Sequence, residues 1–201
     1  MKYLILKIFL LLSLAGLVSL TACAGSTTTK PTVAPTTAEP VTSVPTATAS
    51  IGKVMVLDFP LNDLTDLPNP PEELARIAHF NVAFKQKLTD NGVEIVPVND
   101  KIKAISAEQS ATYLFDHTDI AAGLAEGSGA DYILIGVAMK PTYLFVYPRL
   151  LLVDIKTKRK AFTAYVQMEG SWLDKDHTTA SANNFANKVA VELRSLKVLL
   201  P

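Results

Sequence analysis

Asp131-Tyr132-Ile133-Leu134-Ile135-Gly136-Val137-Ala138-Met139 is the stretch that decides the fold. It is a short, nearly unbroken apolar run with Gly127-Ser128-Gly129 just before it. Such a run, bounded by turn residues, suits a central strand buried on both faces. A strand of that kind needs layers above and below it, so helices are expected on the sheet.

Upstream, Thr118 or Asp116 can cap a helix running to about Gly127, with Ile120, Ala121 and Leu124 inward. Residues 99–117 are ambiguous between helix and loop. Val93-Glu94-Ile95-Val96-Pro97-Val98 reads as a strand, and Pro97 implies an edge position or the strand's end. Before it, a helix over about 72–90 has Pro71 as a first-turn residue and Asn91-Gly92 as its stop. Its stripe reads Leu74, Ile77, Ala78, Val82, Phe84 and Leu88. Val54-Met55-Val56-Leu57-Asp58-Phe59 is the first strand.

Downstream, Tyr143 to Ile155 is rich in strand formers and broken by Pro148, which hints at an edge or a bulge. After a turn at 156–159, Phe162, Ala164, Val166 and Met168 alternate with polar residues, the mark of a half-buried antiparallel strand. A last helix of about 176–197 aligns Phe185, Val189 and Leu193. The order is β-α-β-α-β-β-β-α. Two crossovers imply three parallel strands, and the closing hairpin adds antiparallel ones. The expected fold is α/β, one mixed sheet with helices packed on it, over residues 51–201.

The first fifty residues do not join this core. Lys2 and Lys7 precede an apolar run from Ile8 to Leu20, about the length of a signal-peptide core and too short to span a bilayer comfortably. Leu20-Thr21-Ala22-Cys23 then resembles the bacterial lipobox, with small residues before the cysteine that takes the lipid. The chain has one cysteine, and it occupies this slot. Residues 1–22 are therefore expected to be cleaved, and Cys23 to carry the acyl chains that anchor the protein to a membrane. Residues 23–50 read as a Thr/Pro-rich spacer unable to offset its own ordering entropy. By resemblance to lipoprotein sorting, Ala24 is not the aspartate that retains such proteins at the inner membrane. In a source with two membranes, the periplasmic face of the outer membrane is the expected site.

Charge excludes one function class. Nineteen basic and nineteen acidic residues cancel; removing Lys2 and Lys7 leaves 17 − 19 = −2. That balance lacks the basic footprint of a nucleic-acid binder.

Taken in order, the first strand, Ala75-Arg76, Gly129-Ala130-Asp131-Tyr132, Lys140, Val153-Asp154 and Ser171-Trp172 resemble an uncharacterised family of secreted bacterial proteins. The strand–helix order is also similar to the N-terminal domain of TolB and the periplasmic core of curli-secretion lipoproteins. The resemblance implies a sheet with packed helices and a role in protein contacts or assembly. It carries over no functional residues.

Candidate chemistry is sparse. Asp116-His117-Thr118-Asp119 offers ligand types, but a metal needs three or four converging groups, and a helix N-terminus explains the acids equally well. Gly127-Ser128-Gly129 ends a helix, whereas phosphate loops open one. No Gly-x-Ser-x-Gly elbow is present. No catalytic residue, metal or cofactor is expected. Asp58, Asn99 and Lys140 should lie at the C-terminal ends of the parallel strands, where open α/β sheets bind ligands. Tyr143, Phe145, Tyr147 and Trp172 form an aromatic set that serves either the core or a partner surface. The leading expectation is an envelope lipoprotein that binds another protein, aids assembly or self-associates. The alternative is a ligand-binding or enzymatic domain using the strand-end rim.

Overall fold

The computed structural model describes residues 50–168, 171 and 173–199. The expected leader, lipobox Leu20, Thr21 and Ala22, lipid-bearing Cys23, the spacer to residue 49 and Trp172 lie outside the described residues.

The mixed α/β fold read from the sequence is present. The elements are β1 (Gly52–Val56), β2 (Leu61–Asp63), α1 (Pro71–Asp90), β3 (Val93–Val96), α2 (Asp100–Glu108), α3 (Tyr113–Asp116), α4 (Thr118–Ala125), β4 (Tyr132–Thr142), β5 (Phe145–Asp154), β6 (Lys160–Tyr165) and α5 (Lys175–Leu199). They form one sheet in the order β3-β1-β4-β5-β6, with β2 also paired to β4. β1 runs parallel to β3 and β4, β2 runs parallel to β4, and β4–β5 and β5–β6 are antiparallel.

β4 is the central strand, and its side chains divide by parity as the pleat requires. Tyr132, Leu134 and Ala138 face α1 and α5, together with Val54, Val56, Leu150 and Leu152. Ile133 and Ile135 face the other way, toward α2–α4, with Met55, Leu57, Leu151 and Val153. The α1/α5 layer is closed by Phe59, Phe80, Phe84 and Phe185, whose ring centroids lie 5.3–6.4 Å apart.

β1 and β2 run in line along β4. Val56 pairs with Leu134 and Leu61 with Ala138, so 57–60 holds one residue more than the partner strand. This bulge turns Phe59 onto Gly136; a Cβ there would meet the ring at 2.4 Å. Asn81 of α1 pins the bulge, accepting from the Phe59 N–H at 2.9 Å and donating to its carbonyl at 3.3 Å.

Several local expectations hold. Pro71 starts α1, β3 is an edge strand ending just before Pro97, and Phe185, Val189 and Leu193 are fully or almost fully buried. Others need correction. The buried stripe of α1 is Glu73, Arg76, Ile77, Phe80, Phe84 and Leu88, while Leu74, Ala78 and Val82 are exposed. The helix is rotated because the phenylalanines fill the layer against α5 better than the valine and leucine. Residues 100–108 are helical, since the Asn99 side chain accepts from the Ile102 N–H at 3.0 Å. No side chain caps α4: His117 instead continues α3, its N–H donating to the Tyr113 carbonyl at 2.9 Å. The residues α4 buries are Ala121, Ala122 and Ala125, small enough to let it lie close on the sheet.

Pro148 is at neither an edge nor a bulge. It sits in β5 between β4 and β6, opposite Ala138. Its carbonyl accepts from the Val166 N–H at 3.0 Å, so its ring nitrogen faces β6 as well. The missing donor falls just where β6 ends at Tyr165, so one bond to the neighbour is lost, pairing resumes at Val146 and Met168, and the ladder to β4 stays intact.

Candidate functional site

The sheet places its possible binding features at two separate positions. The first is where β1 and β3 end. β1 leads by way of β2 to α1 on one face, and β3 leads to α2 on the other, so the chain diverges between them. In the parallel order β3-β1-β4 the direction reverses between β1 and β4, the topological switch point at whose strand ends open α/β sheets form ligand crevices. A partly open cavity of about 650 Å³ lies there, between the bulge, Lys85 of α1 and the α2–α3 segment. Leu57, Val98, Ile105, Leu114, Phe115 and Ile135 give it apolar walls. Asp58 stands at its edge, bonded to Lys85 at 2.7 Å.

The three rim residues are not brought together. Asp58 lines the cavity. Asn99 caps α2 and donates to the Leu124 carbonyl at 2.8 Å, so its side chain holds α2 to α4. Lys140 is buried, and its ammonium contacts Asp63 at 2.8 Å and Glu73 at 2.7 Å. It also donates to Asn69 at 3.3 Å. Burial by itself favours neutral Lys140, but hydrogen bonds to both carboxylates and their charges raise its pKa. Burial likewise acts to raise Asp63, and the bonds from Lys140 and Thr65 override it and hold the carboxyl below the usual range. This network joins β2, β4 and the start of α1. The sequence signals for it were faint: an acidic pair in a helix's first turn and one aspartate in a loop.

The second position is the far end of the β4–β5 hairpin. On the side of the sheet that carries α2–α4, those helices cover only the half of the ribbon away from the hairpin turn, the start of β4 and the end of β5. Beyond them Met139, Pro141, Tyr147, Arg149 and Tyr165 surround a shallow hollow of about 340 Å³. Phe145 lies against Tyr147, with centroids 6.3 Å apart. At the hairpin tip Tyr143 and Leu144 are 63% and 55% exposed, and Tyr165 is 66% exposed. Tyr143 and Tyr147 thus lie outside the core. Tyr165 and Met139 were missed by sequence reasoning because alternation tells which residues share a face, not whether anything covers it.

The Asp116-His117-Thr118-Asp119 cluster forms no ligand set. His117 Nδ1 lies 2.9 Å from the Tyr113 carbonyl and its ring stacks on Tyr113 at 4.5 Å. Among the described residues no three His, Cys, Asp or Glu side chains converge as a metal site. Among them, too, no helix is long and apolar enough to cross a membrane.

These features define a mixed α/β domain with a switch-point cleft and a half-covered sheet. The chain belongs to the DUF3280 family, described as "Protein of unknown function (DUF2380)", whose model matches residues 52–181. That agrees with the expected uncharacterised domain family. No curated protein matches the chain. Among solved structures it is similar to the C-terminal domain of LpoB from Salmonella enterica, at 14% identity and a TM-score of 0.42, covering 61% of this chain and 85% of that one. It is similar to PelC from Paraburkholderia phytofirmans, seen as a dodecamer, at 16% identity and a TM-score of 0.45, covering 72% and 89%. It is also similar to lipoprotein GNA1162 from Neisseria meningitidis, at 12% identity and a TM-score of 0.42, covering 69% and 96%.

Proposed function

We propose that this protein is a non-catalytic binding module of the bacterial cell envelope, held to a membrane by lipid on Cys23. It presents the open end of its β4–β5 hairpin to another envelope protein or to a second copy of itself. The observation that carries this reading is the uncovered sheet face, where Tyr147 and Tyr165 border the hollow beside the exposed Tyr143 and Leu144. Exposed aromatics grouped with an arginine match the composition of interface cores, since tyrosine buries a large area at small entropic cost and arginine adds directional hydrogen bonds. β6 adds a sheet edge for strand pairing on the same side. The lipobox Leu20-Thr21-Ala22-Cys23 and the Thr/Pro spacer support an outward-facing, membrane-tethered domain, on the periplasmic face of the outer membrane where two membranes exist. The likeness of strand order to TolB and curli-secretion lipoproteins accords with an assembly role.

Photo-crosslinking residues placed at 143, 147 and 165 of the full-length protein in bacterial cells test the reading. A discrete adduct is expected from these positions and none from Lys101, an exposed residue of α2. Equal labelling at all four, or none at the three, would overturn it. Separately, Cys23→Ser should abolish acyl labelling and leave unprocessed precursor; unchanged labelling refutes the anchor.

A further inference from the structure

We propose that the cleft between the ends of β1 and β3 binds an apolar small molecule ending in one anionic group, of the class of unbranched medium-chain carboxylates. The site is distinct from the hairpin surface, and the inference does not rest on the protein-binding reading.

Size and shape come first. A cavity of about 650 Å³ lies within the range of small-molecule sites and far above the occasional void of a packed core. Its room comes from small side chains along the α2–α3 segment, Ala107 and Ala111. The walls are mainly aliphatic with Phe115 at one side. Water held among such walls has few partners, so an apolar occupant gains by displacing it.

The polar groups decide which end the ligand must carry. The charged side chains in the lining are Lys85, Lys103 and Asp58, an excess of one positive charge. Asp58 is already bonded to Lys85 at 2.7 Å, which leaves it little to offer a cation. Among the described residues Lys103 is held by Asp100, an i,i+3 pair at 2.9 Å whose aspartate side chain is 97% exposed. Such surface pairs are weak, so Lys103 is readily recruited by an anion at the cavity mouth. Ser106, Ser110 and Tyr113 supply hydroxyl donors in the same wall. An apolar body with one carboxylate satisfies both halves of this lining; a cationic amphiphile satisfies only one.

Titration calorimetry tests this with the full-length chain in lipid nanodiscs and empty nanodiscs as reference. Decanoate, decan-1-ol and decyltrimethylammonium serve as probes below their micellar concentrations. Saturable one-to-one decanoate binding is expected. Octanoate, two methylenes shorter, should bind about fifteenfold more weakly, since each buried methylene is worth roughly fourfold. Decanol should bind several-fold more weakly and the ammonium probe at least tenfold more weakly. Ala111→Trp should fill the space and remove binding. Lys103→Glu, at an exposed helical position where folding is not at stake, should remove the preference for decanoate over decanol. The absence of saturable decanoate binding would overturn the proposal. So would ammonium binding as tight as carboxylate, or unchanged discrimination in Lys103→Glu.

Discussion

The two faces of the sheet are built from the same strands yet finished differently. One is covered by α1 and α5, of 20 and 25 residues, helices of about 30 Å or more that match the long β4–β5 ribbon. Four phenylalanines seal that layer. The other is covered by α2, α3 and α4, of nine, four and eight residues. The longest of these spans only about 14 Å. A short cover over a long ribbon leaves sheet exposed beyond it, and loosely packed small residues at its margin leave a cavity. Stability is concentrated on the first face, and both candidate binding features lie at the limits of the second.

The largest expected effect sets the faces against each other. Phe80→Ala should cost about 3–5 kcal/mol in denaturant unfolding, at the high end for a core truncation. Ile102→Ala, on the thinner face, should cost less. If Ile102→Ala proved the more damaging, the contrast between the faces would collapse.

Next comes the ion-pair network that closes the first face at the hairpin. Lys140→Met leaves two buried or nearly buried carboxylates without their cation and should cost about 3–5 kcal/mol near neutral pH. The pH dependence follows from the shifts. Asp63 is depressed in the folded state, so its contribution is present above its unfolded pKa and lost as pH falls through the lower folded value. Lys140 is raised, so its contribution is full below an ordinary lysine pKa and lost as pH rises through the higher folded value. Stability from the network should therefore be flat across neutral pH and fall at both extremes. Thermal melts of Lys140→Met against the parent protein should show that plateau disappear.

Gly136→Ala should cost about 1–3 kcal/mol through overpacking against Phe59, with partial recovery in Phe59→Leu. Asn99→Ala should cost about 1 kcal/mol and speed amide exchange in α2 without affecting α1. The smallest effect is predicted on the open face. Tyr147→Ser and Tyr165→Ser should change stability by no more than about 0.5 kcal/mol, as for surface residues without buried partners. A large loss there would mean that the patch belongs to the core.

The elements that were legible announce themselves within about ten residues. β4 shows as an unbroken apolar run, β6 as strict alternation, α5 as a spaced stripe, and the end of β3 as Pro97. The α2 helix was hidden because Asn99 and two isoleucines make a weak signal until the capping bond forms. The phase of α1 was misread for a related reason. Leu74 and Val82 are as apolar as their buried neighbours, and only packing against α5 selects Phe80 over them.

Sequence alone determined the mixed sheet, the order of its main elements and the position of the one cysteine at Cys23, because each is written in contiguous residues. Tertiary structure alone decided that Lys140 meets Asp63 and Glu73, across 77 and 67 residues of chain, and is no part of a rim. It also decided that Asp58 borders a cavity and that Tyr147 and Tyr165 border an open hollow. The pleat fixes which side of the sheet a residue takes; how far a helix extends over that side depends on distant segments packing together.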